Sequence, residues 1–269
     1  MSHAKGTALV TGASRGIGAI YAGRLARRGY DLIIVARDEE RLKALAARLN
    51  ETTGRSVTSL PADLNNRDDL AKVESVLQTD HTITMLVNNA GVASVAPLLN
   101  ADVDRVEDMI ALNITALTRL TYAAAPAFVA RGSGTIVNIA SIVGISPETL
   151  NGVYGATKAY VIAFSHSLQH ELASKGLRIQ AVLPGATATD FWETAGLPWQ
   201  QLPSSIVMSP EDMVDAALAG LDAGELVTIP SLHDGDAWIR FEEDRRALSK
   251  QFGTSAPAPR YHIAVQPVA

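Results

Sequence analysis

The sequence contains no cysteine among its 269 residues, and only 5% of its residues are aromatic. Without thiols the chain cannot form disulfides, thiolate zinc sites, iron–sulfur clusters or a cysteine nucleophile, so its chemistry must come from other side chains or from a cofactor. The net charge is also small, because 23 basic and 28 acidic side chains give −5. This balance argues against a general affinity for nucleic acid or for an anionic membrane.

Long apolar runs are missing as well. Met1–Gly6 is short and polar, and the apolar run after it has only about four residues, which predicts neither a signal peptide nor a membrane span. We therefore expect a soluble, cytoplasmic protein. The length suits one compact α/β domain.

Short runs rich in Val, Ile and Leu alternate with longer segments of helical spacing. This alternation is typical of strands and crossover helices in a buried parallel sheet. The predicted strands lie near Ala8–Thr11, Asp31–Ala36, Ser56–Leu60, Met85–Asn88, Thr135–Ala140, Arg178–Leu183 and Leu226–Ile229. Seven strands with intervening helices predict a doubly wound parallel sheet with helices on both faces, in three layers.

Two segments depart from this alternation. Gly185–Met208 contains Trp192 and Trp199 and is too long for an ordinary connection, which predicts a substrate lid at about residues 186–208. Residues 253–269 carry prolines and follow a single predicted domain of residues 1–252. This tail is either disordered or packed on a partner subunit.

The glycine turn, Thr11–Gly18, follows the first predicted strand and opens a predicted helix. Backbone N–H groups and the helix dipole favour a phosphate there, and glycines allow the backbone to approach it closely. The spacing GxxxGxG is neither GxGxxG nor a P-loop. We interpret the turn as a dinucleotide site, with an ordinary strand-to-helix turn as the alternative. The residues expected to contact the cofactor are Gly12, Ser14, Arg15, Gly16, Ile17 and Gly18.

The end of the second predicted strand bears on the choice of cofactor. An NAD enzyme would place Asp or Glu there, whereas this chain has Ala36 followed by Arg37. Arg37 and Arg15 could both pair with a 2′-phosphate, which favours NADP(H) over NAD(H). Residues 1–60 also contain ten basic and five acidic side chains. Alternatively, Arg37 is a solvated residue at a helix entry that Asp38 caps.

Tyr154 and Lys158 are four residues apart in a segment of helical spacing, so both project from one helix face. A nearby ammonium favours phenolate, which predicts a lowered pKa for Tyr154 and acid–base chemistry closer to neutral pH. Taken singly, Tyr154 could instead be a buried helix tyrosine, Lys158 a solvated lysine and Ser141 a strand cap.

In combination, these motifs resemble the short-chain dehydrogenases/reductases over roughly residues 5–230. The residues that carry the resemblance are Thr11–Gly18, Asp63-Leu64, Asn88-Asn89-Ala90-Gly91, Asn113, Ser141, Tyr154-Gly-Ala-Thr-Lys158, Pro184-Gly185 and Thr189. Ser141 lies thirteen residues before Tyr154, and Asn113 lies 28 before Ser141, as the family pattern requires. The resemblance implies a Rossmann-type fold.

The resemblance also implies residue roles. Tyr154 would protonate a carbonyl oxygen that receives hydride, Ser141 would steady that oxygen, Lys158 would hold the nicotinamide ribose, and Asn113 would order a water leading to solvent. The other implied cofactor contacts are Asp63 and Leu64 at the adenine, Asn89, Ala90 and Gly91 along the ribose, Thr187 and Thr189 near the carboxamide, and Pro184 and Gly185. A homodimer or homotetramer is implied too, because the helices around Asp102–Ala130 and after Tyr154 commonly form subunit interfaces in the family.

The sequence therefore predicts an NADP(H)-dependent oxidoreductase that interconverts a carbonyl and a secondary alcohol, with no nucleic-acid or membrane partner. An apolar, bulky substrate is expected from the residues of the lid and of the catalytic segments, although an apolar lid can equally be structural. These residues are Phe191, Trp192, Leu197, Pro198, Trp199, Ile142, Val143, Ile145 and Val153. The alternatives are an NAD-linked alcohol dehydrogenase and a dinucleotide-binding scaffold or sensor with incidental activity.

Two further features of the sequence concern a possible metal site and a proline within a predicted helix. His166 and His170 stand at a spacing that zinc could use, with Glu171 beside them, but the sequence offers no HExxH pattern and no obvious third ligand. No metal site is predicted. Pro126 is predicted to kink or end the helix that contains it.

Overall fold

The computed structural model of the chain describes residues 5–150 and 152–263. Its centre is one seven-stranded parallel sheet with the strand order β3-β2-β1-β4-β5-β6-β7. The strands are β1 Thr7–Thr11, β2 Asp31–Ala36, β3 Val57–Pro61, β4 Ile83–Asn88, β5 Gly134–Ile139, β6 Leu177–Val182 and β7 Val227–Thr228. All seven predicted strands are present, with ends shifted by two residues or fewer.

Helices connect the strands and cover both faces of the sheet. They are α1 Gly16–Arg27, α2 Glu39–Thr53, α3 Arg67–Thr79, α4 Val103–Ile110, α5 Leu117–Arg131, α6 Val153–Leu172, α7 Phe191–Ala195 and α8 Pro210–Ala223. A further helix, α9 Gly235–Ser249, follows β7 in the chain. One apolar cluster joins α1, α2 and α8 to the sheet, and a second joins α3, α5 and α6 to it. The predicted three-layer, doubly wound fold is confirmed.

The sheet topology determines where a site can form. The connections run in opposite directions on either side of β1 and β4, which are neighbours in the sheet. Ligands of doubly wound sheets bind at the carboxyl ends of the strands, next to such a switch point. The segments that follow β1, β4, β5 and β6 all start from that edge, and they carry most of the predicted site residues.

Pro126 lies inside α5 and does not end it, because the helix continues to Arg131 and Gly132 follows with φ +69°. Ala124 and Phe128, on either side of the proline, are fully buried in the cluster under α5. Their packing stabilises the helix despite the backbone donor that proline lacks. Of the two predicted effects of Pro126, the end of the helix is therefore wrong, and the kink stays a prediction.

The chain contacts divide the protein into two units, Met1–Ser231 and Leu232–Ala269. The first contains the whole sheet. Within the described part of the second, α9 is capped by the Asp234 side chain, and Trp238 stacks on Phe241 with ring centroids 5.1 Å apart. Residues 1–4 of the predicted domain and 264–269 of the predicted tail lie outside the described residues. The predicted boundary at residue 252 remains a prediction.

The longest helices do not have the character of membrane segments. Across the described residues, no helix combines the length and the apolarity needed to cross a bilayer.

Candidate active site

The glycine turn has a backbone that only glycine accommodates at two positions. Gly12 has φ +65°, and a Cβ there would lie 2.9 Å from the Cα of Ala90. A Cβ at Gly18 would overlap the carbonyl oxygen of Gly12. The turn can therefore close tightly between β1 and α1 because these positions lack side chains.

The N-terminus of α1 differs from those of α2, α3 and α8. Side-chain oxygens of Asp38, Asn66 and Ser209 accept from backbone N–H groups at the starts of α2, α3 and α8. At α1, no side chain caps the helix, and its first turn has no acidic residue. Its first N–H groups are thus left to an anionic ligand, as a phosphate requires.

Hydrogen bonds join the glycine turn to the segment after β4. Thr11 Oγ1 accepts from the backbone N–H groups of Asn89 and Ala90, each at 3.0 Å. The Asn89 side-chain amide donates to the carbonyl oxygens of Thr11 at 2.8 Å and Gly12 at 3.2 Å. Two segments predicted to line one cofactor are therefore held side by side.

The two predicted phosphate-binding cations face carboxylates. Arg15 lies 3.6 Å from Asp190, and Arg37 lies 4.0 Å from Asp63, with 45% and 74% of the arginine side chains exposed. Ion pairs this exposed are weak, so both guanidinium groups remain accessible to a stronger anion. Asp38 accepts from the Arg41 N–H at 3.0 Å. This is the cap expected beside Arg37.

Tyr154 and Lys158 lie in the first two turns of α6 and are almost fully buried. Lys158 Nζ is 5.7 Å from the centre of the Tyr154 ring and donates to the carbonyl oxygen of Ile139, the last residue of β5, at 2.9 Å. Ser141, two residues further on, donates to the Pro184 carbonyl at 3.3 Å and forms a side-chain hydrogen bond with Tyr154. A hydroxyl, a phenol and an amine thus converge at the carboxyl end of β5.

Burial controls the ionisation of this cluster. It raises the pKa of Tyr154 well above the usual tyrosine value, and the hydrogen bond with Ser141 offsets only part of that increase. Burial also lowers the pKa of Lys158 to about 8. The predicted lowering of the Tyr154 pKa is therefore wrong for the protein without a bound cofactor. Burial of the phenol raises this pKa, and the Lys158 ammonium, which donates to the Ile139 carbonyl, does not reverse the increase.

Asn113 lies in a π-helical segment, Ala111–Ala116, between α4 and α5. Its amide accepts from the Val92 N–H at 3.0 Å and donates to the Val92 carbonyl at 2.9 Å and to Thr157 Oγ1 at 3.0 Å. A Cβ on Gly91 would lie 3.1 Å from Asn113 Oδ1 and 3.6 Å from Lys158 Nζ. Asn113 therefore joins the segment after β4 to the helix that carries Tyr154 and Lys158.

The predicted contacts after β6 meet both parts of the site. The Pro184 carbonyl accepts from the backbone N–H of Ile142, and Gly185 approaches the same isoleucine. Thr187 and Thr189 are buried. A Cβ on Gly16 would lie 3.3 Å from Thr189 Cγ2, so the glycine turn and the start of the lid lie against each other.

Part of the predicted lid lies next to Tyr154. The Phe191 ring centre lies 6.0 Å from that of Tyr154, and the Trp192 Nε1–H donates to the Thr187 carbonyl at 3.0 Å. A backbone hydrogen bond from Val95 to Ala195 links α7 to the segment after β4. The apolar cluster around Tyr154 contains Met109, Val143, Val92, Ala93, Ile142, Leu150, Val153 and Phe191.

The remaining predicted residues take less direct positions. Leu64 is buried, and Asp63 Oδ1 accepts from the Asn65 N–H at 3.0 Å. Glu171, beside the two histidines of α6, accepts from Ser167 at 3.1 Å. In the described part of the chain, no three His, Asp or Glu side chains form a group that could hold a metal ion.

Two site residues escaped the sequence analysis. Thr157 donates a hydrogen bond to the Tyr154 carbonyl at 2.8 Å, and its Oγ1 accepts one from the Asn113 amide. In the sequence, only its position between Tyr154 and Lys158 could have indicated this role. Asp190 faces Arg15 across 175 residues of sequence. No local pattern marks such a pair.

A doubly wound parallel sheet with a glycine turn after β1 and a buried Ser-Tyr-Lys cluster at the same edge defines a class of dinucleotide-binding oxidoreductases. Comparison with known proteins agrees with this structural class. The defining pattern of the short chain dehydrogenase family matches residues 6–197. The chain belongs to this family.

Relatives of known structure extend over nearly the whole chain. A short-chain dehydrogenase from Sphingobium yanoikuyae, solved in complex with NADPH, is 49% identical, with a TM-score of 0.92 over 94% of this chain and 98% of that one. The bulky-bulky ketone specific alcohol dehydrogenase from Comamonas testosteroni is 44% identical, with a TM-score of 0.88 over 95% of this chain and 98% of that one. An uncharacterized oxidoreductase of Staphylococcus epidermidis is 34% identical over 206 residues, covering 74% of this chain and 88% of the relative. The protein is thus an oxidoreductase of the short-chain dehydrogenase/reductase family.

Proposed function

We propose that this protein is an NADP(H)-dependent oxidoreductase that interconverts bulky, apolar ketones and the corresponding secondary alcohols. The observation that carries the proposal is the cluster of Ser141 with the buried Tyr154 and Lys158, next to the Phe191 ring. It combines a proton donor and a hydrogen-bonding hydroxyl with an apolar wall.

The residues around the glycine turn fit a phosphorylated dinucleotide. The uncapped N-terminus of α1 and the close glycine backbone suit the pyrophosphate. Arg15 and Arg37 supply two accessible cations for a 2′-phosphate, and the neutral Ala36 adds no repulsion. The Sphingobium relative, solved with NADPH, supports the same choice.

When bound, the nicotinamide supplies hydride to a carbonyl carbon or accepts it from an alcohol. The raised pKa of Tyr154 keeps its phenol protonated at neutral pH, which is the form that can protonate a carbonyl oxygen. After that transfer, the hydrogen bond with Ser141 and the Lys158 ammonium stabilise the phenolate, because Lys158, with a pKa of about 8, is mostly charged at pH 7. Asn113 would order a water through which Tyr154 and Lys158 exchange protons with solvent.

The substrate class follows from the walls of the site. Val92, Ala93 and Ile142 pack around Tyr154 in one apolar cluster, to which Phe191 of the lid also belongs. These groups favour apolar substituents on the carbonyl carbon. The Comamonas relative is specific for ketones with two bulky substituents, which supports a similar preference here.

We also propose that the protein is a cytoplasmic homodimer or homotetramer that contacts itself through α5 and α6. On that face Tyr122 stacks on Phe164 with ring centroids 6.5 Å apart while remaining 69% exposed. A largely exposed tyrosine stacked on a partly buried phenylalanine fits the enrichment of aromatic residues at protein–protein interfaces. The functional domain is proposed to span residues 1–252, followed by the tail of residues 253–269.

A panel of ketones and secondary alcohols, followed at the nicotinamide absorbance with NADPH and NADH, tests the proposal. We expect kcat/KM to rise from dimethyl ketone to ketones with two large aryl or alkyl substituents, and to be higher with NADPH. A preference for small, charged substrates would overturn the substrate class, and equal use of NADH would overturn the cofactor choice. A protein that binds the dinucleotide but turns over none of these compounds would be the sensor considered above.

A further inference from the structure

A carboxylate at the start of the lid lies on the glycine turn. Asp190 Oδ2 is 3.6 Å from Arg15 Nη1, and the neighbouring Thr189 packs against Gly16. Asp190 precedes α7 but does not cap it, because its side chain accepts no backbone N–H there. Its described charged contact is therefore with Arg15, in a part of the chain 175 residues away.

This position opposes the binding of an anion at Arg15. A phosphate that approaches Arg15 must compete with the Asp190 carboxylate for the guanidinium. The negative charge of Asp190 also repels the phosphate. Both groups are about half exposed, so solvent and salt weaken the interaction without abolishing it. Asp190 therefore lowers the affinity of Arg15 for a phosphate.

We propose that Asp190 competes with the 2′-phosphate of the cofactor for Arg15, an inference that rests on the proposed NADP(H) dependence. Asp190 is thereby a specificity-determining residue that weakens the binding of NADPH relative to that of NADH. The ion pair also links the phosphate site to the lid, since Asp190 is followed directly by Phe191, whose ring lies over Tyr154. Capture of Arg15 by the phosphate breaks this ion pair and leaves the packing of Thr189 on Gly16 in place.

Equilibrium titration of the full-length protein with NADPH and with NADH, followed by nicotinamide fluorescence, tests this competition without using turnover. We expect Asp190→Asn to tighten NADPH binding by about 2- to 5-fold at low ionic strength, in line with exposed ion pairs, and to leave NADH binding nearly unchanged. The gain should shrink as salt is added, because both charges are exposed. In an Arg15→Gln background, Asp190→Asn should have no effect on NADPH affinity.

Glu193→Gln is the matched control, because it removes an exposed carboxylate from α7, the short helix that directly follows Asp190. The proposal is overturned if Asp190→Asn leaves NADPH affinity unchanged or weakens it. It is also overturned if the gain persists in the Arg15→Gln background, or if Glu193→Gln gives the same gain. A wild-type protein that binds NADPH no more tightly than NADH overturns the cofactor proposal, whereas NADPH preference without the gain in Asp190→Asn overturns this inference alone.

Discussion

The glycine turn forms its site mainly from backbone atoms, whereas the cluster on α6 forms its site from side chains. At the turn, the backbone makes the site through Gly12, Gly18 and the uncapped start of α1, and the charged side chains there are exposed. On α6, the side chains of Tyr154 and Lys158 make the site, and both are buried. The first arrangement suits recognition of a large, charged ligand, and the second suits proton transfer in a dry environment.

The difference predicts effects of different size. Exposed charges at the turn are screened by water and salt, so each should change cofactor affinity by a small factor. Buried groups on α6 interact in a medium of lower dielectric, where one atom can change a rate or a pKa strongly. Substitutions in the two regions should therefore separate affinity from rate.

Tyr154→Phe is expected to have the largest effect. It removes the phenolic hydroxyl and keeps the ring that packs near Phe191. The kcat for ketone reduction should fall by roughly 10²- to 10⁴-fold, because the loss of a positioned acid typically has that effect. Steady-state kinetics measure the loss, and a fluorescence titration should show that NADPH affinity is retained. A decrease in kcat of less than tenfold would show that Tyr154 is not the proton donor.

Lys158→Met should reveal how much the buried Lys158 ammonium lowers the free energy of unfolding. The pKa of Lys158 is about 8 in the folded protein, against its ordinary value of 10.5. Below pH 8 the lysine is charged in both states, and the folded state carries the full penalty. Between pH 8 and 10.5 the folded protein binds fewer protons than the unfolded one, so this contribution to stability becomes more favourable as pH rises. The wild type should therefore gain about 2 to 3 kcal/mol relative to Lys158→Met between pH 7 and pH 10.

Urea denaturation of the cofactor-free proteins at both pH values measures this change, and comparing the two proteins cancels groups that titrate alike in each. The free energy of unfolding of the variant relative to wild type also includes the hydrogen bond lost at Ile139, so the test uses only the change in this difference between the two pH values. A difference that is the same at pH 7 and pH 10 would contradict burial as the cause of the low pKa.

Arg37→Ala should have the smallest of these effects and should act on affinity alone. We expect about a tenfold weaker Kd for NADPH, an unchanged Kd for NADH and an unchanged kcat, because one charge-assisted contact to the phosphate is lost. Arg41→Ala is the control, since Arg41 is a half-exposed arginine in α2 that pairs with Asp38. An equal loss in both variants would show a general effect of charge rather than a contact by Arg37.

Most of the fold could be predicted because its signals are local. Seven apolar runs separated by helical spacing identified every strand of the described sheet. Pro126 was the exception. Its local effect is to interrupt a helix, but buried neighbours on both sides keep α5 continuous.

The sequence predicted which residues form the candidate site better than it predicted their pKa values. The spacings of Asn113, Ser141, Tyr154 and Lys158 indicated a common site, and the structure brings these residues together. The direction of the Tyr154 pKa shift was wrong, because a spacing of four residues shows that a lysine is near but not how much water surrounds the phenol. Burial, which decides the shift, depends on the packing of other segments.

By itself, the sequence determined the order of strands and helices, the glycines that the turn after β1 requires, and the residue types available for catalysis. These properties depend on local backbone preferences and on periodicity along the chain. The tertiary structure alone decided that Lys158 donates to Ile139, that Phe191 lies near Tyr154 and that Asp190 faces Arg15. Desolvation and Coulomb interactions act through distances in space, and the folded chain sets those distances between residues far apart in sequence.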